Sequence, residues 1–450
     1  MRTRRCIGWL CLGLTGLAGC SGGSDESTSA AGSGGAASSV ASGTGDTGVA
    51  SGAGAGAVTG SGPGGTSSAS TAAGTSSSSS AASTGSSGTG GAMTTGGGML
   101  CPGLGWCQIL NTKLADVCPD PSQYPDIQAN EGCSAVINDW SGGMADQARN
   151  RLLVWGGGHG GYFGNEVYAL DLGSLTMNRL NAPSDVSGYD FGNCYSPDEY
   201  PDGRPDSRHT YDALAYIAHT DKMYAHSGAK AACGYSDNDT WTLDLGTVDS
   251  APSGQAAPWE RLYPSGDSTL SWPGQVADYD PNTKLVFLED LYSLWSFDYD
   301  ANAYTLRNGD AFIDYRLTGR VDPKRKLFIL MGAAGSQGGG VIVFDIGPGS
   351  TYALQDWTSQ VSGCDGLISP IYPGLAYDPV LDKLVGWVGG DTVYLFDPDT
   401  KSCTTVDYSG SPGPQNGNGT MGRFRYLESL DVFAVVNDWQ EDGYTLRLTP

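Results

Sequence analysis

Glu166-Val-Tyr-Ala-Leu-Asp171 is an apolar run that ends on an aspartate, and five more of its kind follow. They are Thr240-Trp-Thr-Leu-Asp244, Ser293-Leu-Trp-Ser-Phe-Asp298, Gly340-Val-Ile-Val-Phe-Asp345, Thr392-Val-Tyr-Leu-Phe-Asp397 and Gly443-Tyr-Thr-Leu-Arg447. Period-two alternation rich in β-branched and aromatic residues predicts strands. Ahead of each lies a second apolar run: Arg151–Trp155, Lys222–His226, Lys284–Leu288, Lys326–Leu330, Lys383–Trp387 and Leu430–Ala434. Short outer strands such as Trp259–Leu262 and Tyr304–Arg307 come after, and no helical period of useful length interrupts the series.

Repeated four-strand units are the sequence signature of a β-propeller. The sixth unit leaves only three residues beyond Arg447, too few for a fourth strand. Trp106-Cys-Gln-Ile-Leu-Asn111, ahead of the first unit, is the strand that can complete it, and its pairing there removes both free sheet edges. The expectation is an all-β fold, a six-bladed β-propeller closed by an N-terminal strand, with five or seven blades as the alternatives. Val154-Trp-Gly-Gly-Gly158 followed by Asn165-Glu-Val-Tyr-Ala-Leu-Asp171 resembles a kelch repeat. The resemblance covers most of 134–450 and implies the fold shared with the central domain of galactose oxidase; it implies no activity.

The rest of the chain reads as an address. Residues 1–20 carry a basic head, an apolar stretch from Ile7 to Leu17, and then Leu17-Ala18-Gly19-Cys20. That order resembles a lipoprotein signal peptide with lipidation at Cys20. Ser21 in place of an aspartate points to the outer membrane, so the expectation is a membrane partner through the lipid anchor and display at the cell surface. Residues 21–98 are almost wholly Ser, Gly, Ala and Thr, a composition that cannot offset its ordering entropy and is expected to stay a coil spanning roughly 50 Å. Residues 101–450 hold every Tyr and Phe and all tryptophans but Trp9, enough to bury a core, and form the expected propeller domain.

The net charge of −24 argues against nucleic acid, whose phosphates need a basic footprint. Eight cysteines follow Cys20: Cys101, Cys107, Cys118, Cys133, Cys194, Cys233, Cys364 and Cys403. An even number in an exported chain predicts up to four disulfides, and Cys194 with Cys233 would stiffen one rim. Without C-x-x-C spacing and with four histidines, no metal and no cofactor is expected.

Alternating strand direction sorts propeller loops by face. The loop 156–165 of the first unit and the segment Ser207-Arg208-His209-Thr210-Tyr211, read as the opening of the next inner strand, share one rim. That brings His159, Tyr162, Asn165, Glu166, Arg208, His209 and Tyr211 together. Arg316, Arg320 and Arg423, with Arg425, are read onto later inner strands, where guanidinium groups would suit a carboxylate or sulfate, although arginines here also bridge blades structurally. Three functions follow. The first is a polysaccharide lyase acting on uronate glycans, with His159 or His209 as base, Tyr211 or Tyr162 as acid and Arg208 or an inner-strand arginine neutralising the carboxylate. The second is a non-catalytic carbohydrate- or protein-binding propeller. The third is a galactose-oxidase-like copper oxidase, disfavoured because no further domain follows. The partner is expected to be a polysaccharide or cell-surface ligand, and the protein a monomer.

Overall fold

In the computed structural model the described residues are 100, 103–236, 238–250, 257–266 and 274–450. The signal-peptide, Cys20 and linker readings lie outside them. Six four-stranded antiparallel sheets are present, each running from an inner to an outer strand. Blade one is Gly142–Asp146, Arg151–Trp155, Tyr168–Asp171 and Thr176–Arg179. Blade two is Leu214–Ile217, Lys222–His226, Thr240–Asp244 and Trp259–Leu262. The inner strands of blades three, four and five are Val276–Asp280, Thr318–Asp322 and Gly374–Asp378.

Blade six supplies Phe424–Leu427, Val432–Val435 and Gly443–Arg447. Its outer strand is Gly105–Ile109, paired antiparallel with Gly443–Arg447 so that Gly105 faces Arg447 and Ile109 faces Gly443. The ring is closed as the orphan strand implied. The first and last strands of the propeller thus meet in one sheet, and Gly443–Arg447 is paired on both sides.

Each alternating run puts one set of side chains between its own blade and the next. Six buried clusters result, one per blade junction. Met144, Leu153 and Trp155 of blade one pack on Leu214, Met223 and Leu243 of blade two, and Leu170 of blade one packs on Leu427 and Ala434 of blade six. Near the axis the strands converge, and small residues make room. A Cβ on Gly142 would collide with the Tyr211 carbonyl, and one on Gly422 with the Gly143 carbonyl.

One device recurs at the far end of the inner strands. Tyr216, Tyr377 and Tyr426 donate their hydroxyls to Asp221, Asp382 and Asp431, each five residues on, at 3.0, 2.9 and 2.6 Å. Those aspartates have φ of 56°, 56° and 50°, the left-handed position of the turn between first and second strands. Disulfides join Cys118 to Cys133, Cys194 to Cys233 and Cys364 to Cys403, and Cys107 is also disulfide-bonded.

Three placements differ from the sequence reading. Arg208 and His209 do not open the inner strand of blade two, which begins at Leu214. They form a two-residue strand paired with Ala229–Lys230 in the blade's own second-to-third-strand loop. Likewise Arg316 precedes the inner strand of blade four, and Arg423 lies in the 3-10 turn Met421–Arg423 before that of blade six. In all three, the loop entering the blade is longer than pattern alone shows.

Candidate functional site

The glycine run after Trp155 is what lets two loops touch. Gly156 and Gly157 have φ of 152° and 132°, and a Cβ on Gly158 would strike the backbone of Arg208. Gly158 N–H instead donates to Ser207 Oγ at 2.8 Å. With the loop pressed down in this way, the rings of His159 and His209 lie 5.4 Å apart, edge to face. Tyr211 follows at 6.1 Å from His209. The three rings form one contiguous aromatic line.

Sequence reasoning missed the aromatics that continue this line. Trp140 lies 5.2 Å from His209, Tyr372 lies 6.2 Å from Tyr211, and Tyr315 lies 6.4 Å from Tyr372. Trp140, Tyr211, Tyr315 and Tyr372 each stand two or three residues ahead of an inner strand, a regularity that aligning the blade entries would have exposed. Trp140, His159, Tyr211 and Tyr372 have φ of 47°, 41°, 48° and 46°. Bulky residues in that region cost about 1–3 kcal/mol each and gather at binding and catalytic sites. Backbone hydrogen bonds hold them: Tyr211 N–H to the Trp140 carbonyl at 2.7 Å, and Tyr372 N–H to the Arg316 carbonyl at 2.9 Å.

The site is mostly uncharged. His209 is 3 % exposed and its Nε2 has no partner. Burial, assisted by His159, holds its pKa down at about 3, so the ring is neutral. Burial also lowers His159 and raises the Tyr211 phenol, the latter with a further push from Tyr315. Asp139, beside Trp140, is raised to about 7 by burial and by Glu131, and its carboxylate abuts Gly161 of the histidine loop.

The other predicted residues support this surface from below. Arg208 is 2 % exposed and makes five hydrogen bonds, to the carboxylates of Asp206 and Asp239 and to the carbonyls of Asp198, Asp206 and Ser227. A guanidinium has five N–H groups, so none is left for a ligand. Tyr162 and Tyr168 both donate to Glu166 Oε1 at 2.5 Å, and burial raises that carboxyl. Asn165 ties Ser184 to the Pro205 carbonyl. Arg423 donates to the carbonyls of Ser141, Val436 and Gly419, stapling blade six to blade one. Arg320 pairs with Asp212 at 2.7 Å. Arg316, bound to Asp314 at 2.6 Å, keeps a third of its side chain exposed next to Tyr315.

No protein-family model and no curated protein matches the chain. Among solved structures, it is similar to a structural-genomics protein of unknown function from Bacteroides thetaiotaomicron, at 11 % identity and a TM-score of 0.45 over 76 % of this chain and 75 % of that one. Among the described residues no group of three or more His, Cys, Asp or Glu gathers at metal-binding distance.

Proposed function

We propose that this chain is a secreted, lipid-anchored propeller of kelch type that binds carbohydrate on the rim bearing His159, His209 and Tyr211. The observation that carries the reading is the line of rings from Trp140 through His209 and Tyr211 to Tyr372 and Tyr315, four of its members or neighbours held in the left-handed backbone region. Aromatic faces offer a large apolar area with polar tips, which suits the mixed faces of a sugar. The kelch assignment rests on the Gly156-Gly157 pair after the second strand of blade one.

A second reading, β-elimination at a uronate, has one observation in its favour: neutral His209 with a free Nε2 stands next to a protonated Tyr211. Magnitude places it second. A general base works best near the operating pH, and one held at about 3 is a weak acceptor for a carbon-bound proton. Arg208 is fully engaged, which leaves Arg316 as the guanidinium for a carboxylate.

The test offers the protein a panel of uronate and neutral polysaccharides. Gel retardation that weakens at least tenfold in Tyr211→Ala and His159→Ala, with no rise in ultraviolet absorbance, is the expected outcome. Absorbance from a new conjugated double bond, abolished in either variant, would establish the lyase. Absence of both signals would remove the carbohydrate reading. For the anchor, Cys20→Ala is expected to lose labelling by palmitate and to leave the membrane fraction; an unchanged distribution would sink it.

A further inference from the structure

We infer that the opposite end of the central channel is a second binding site, for a neutral polyhydroxylated ligand the size of a single sugar ring. A cavity of about 190 Å³ lies where the inner strands finish, bounded by turn residues such as Gln147, Ala218 and Pro323. It is smaller than the roughly 300–1,000 Å³ that drug-sized ligands occupy, so its occupant is one ring rather than a chain. Tyr216, Tyr279, Tyr377 and Tyr426 line it. Three of these rings are immobilised by the bonds from their hydroxyls to the turn aspartates, so the walls are organised in advance.

The polar part comes from Arg320, Arg425 and Asp278. Arg320 is 2 % exposed, yet its Nε–H has no hydrogen-bond partner, because Asp212 takes only the two terminal nitrogens. Arg425 Nη1 stands 3.7 Å from Asp278 Oδ1, too far for a hydrogen bond, while Asp278 Oδ2 accepts from Val321 N–H at 2.8 Å. Arg425 and Asp278 therefore form a loose ion pair on the cavity wall, with hydrogen-bonding capacity left on Nη1 and Oδ1.

Charge decides the ligand class. Two guanidiniums and the carboxylates of Asp212 and Asp278 sum to zero, and the remaining charge on the lining, Glu428, is exposed and negative. An anion would meet Asp278 and Glu428; a cation would meet both guanidiniums. A hydroxyl accepts from Arg425 Nη1 and donates to Asp278, so a hydroxyl-bearing ligand satisfies both. The inferred site takes an uncharged ligand and is independent of the rim.

The experiment is calorimetric titration of the full secreted chain with D-glucose, D-galactose and D-mannose, and separately with inorganic phosphate and tetramethylammonium. One hexose is expected to bind, and the two ions not. Ala218→Trp, in an exposed turn at the cavity, is expected to weaken that hexose at least tenfold while polysaccharide retention on the rim is unchanged; Tyr211→Ala is expected to do the reverse. Asp278→Asn leaves a guanidinium unbalanced and is expected to admit phosphate. Binding of neither hexose nor ion, preference for phosphate or tetramethylammonium by the unaltered protein, or hexose affinity indifferent to Ala218→Trp would each overturn the proposal.

Discussion

His209 is the residue whose environment says most about the site. Its folded pKa of about 3 lies below the ordinary histidine value near 6.5, so between those limits the unfolded chain binds a proton that the folded chain does not. Stability therefore falls as pH drops through that window. At pH 4 the penalty is about 2–3 kcal/mol after allowance for relaxation. His209→Gln is expected to melt at a temperature that changes less between pH 7 and pH 4 than that of the unaltered protein; equal acid slopes would refute the neutral buried ring. The histidine pair could be read from the sequence because a glycine run beside a histidine, and a second histidine in the next unit, need only the face rule to be brought together. The role of Arg208 could not. Its partner Asp239 is 31 residues away, across a loop whose path no periodicity reports. Trp140 was missed for a related reason: its left-handed backbone is not written in local sequence, and its place ahead of an inner strand shows only when the blade entries are aligned.

At the scale of elements, strands were legible and their entries were not. All six runs ending in aspartate or arginine are third strands, since alternation is a local property that burial of one face enforces. The loops entering blades two, four and six carry no such period, and there the inner strand was started too early. The Cys194–Cys233 disulfide joins the loop entering blade two to that blade's own second-to-third-strand loop across a sequence separation of 39. Chain entropy for a loop of that length is worth about 2–4 kcal/mol. Replacing both cysteines with serine is expected to lower the melting temperature by several degrees and, because Arg208–His209 pairs with Ala229–Lys230 beside Cys233, to weaken rim binding more than it weakens the fold. A loss of stability with glycan retention unchanged would separate the staple from the site.

For the whole molecule, ring closure matters more than any single blade. Without residues 100–111 the Gly443–Arg447 strand becomes a free edge, which invites pairing between molecules. A chain beginning at residue 112 is expected to elute as oligomers in size-exclusion chromatography, and a peptide of residues 103–111 added in excess to restore the monomer. Monomeric behaviour without the peptide would mean that the closing strand is dispensable.

That same strand imposes an order on biogenesis. A polypeptide is made from its amino end, so Gly105–Ile109 emerges before any other strand of the propeller and must wait for the very last one, Gly443–Arg447, before it has a partner. During that interval five blades can form in sequence while the first strand made remains unplaced. Closure of the ring therefore joins the oldest strand to the newest. Any truncation before residue 443 yields a chain that carries its lock but not its keyhole.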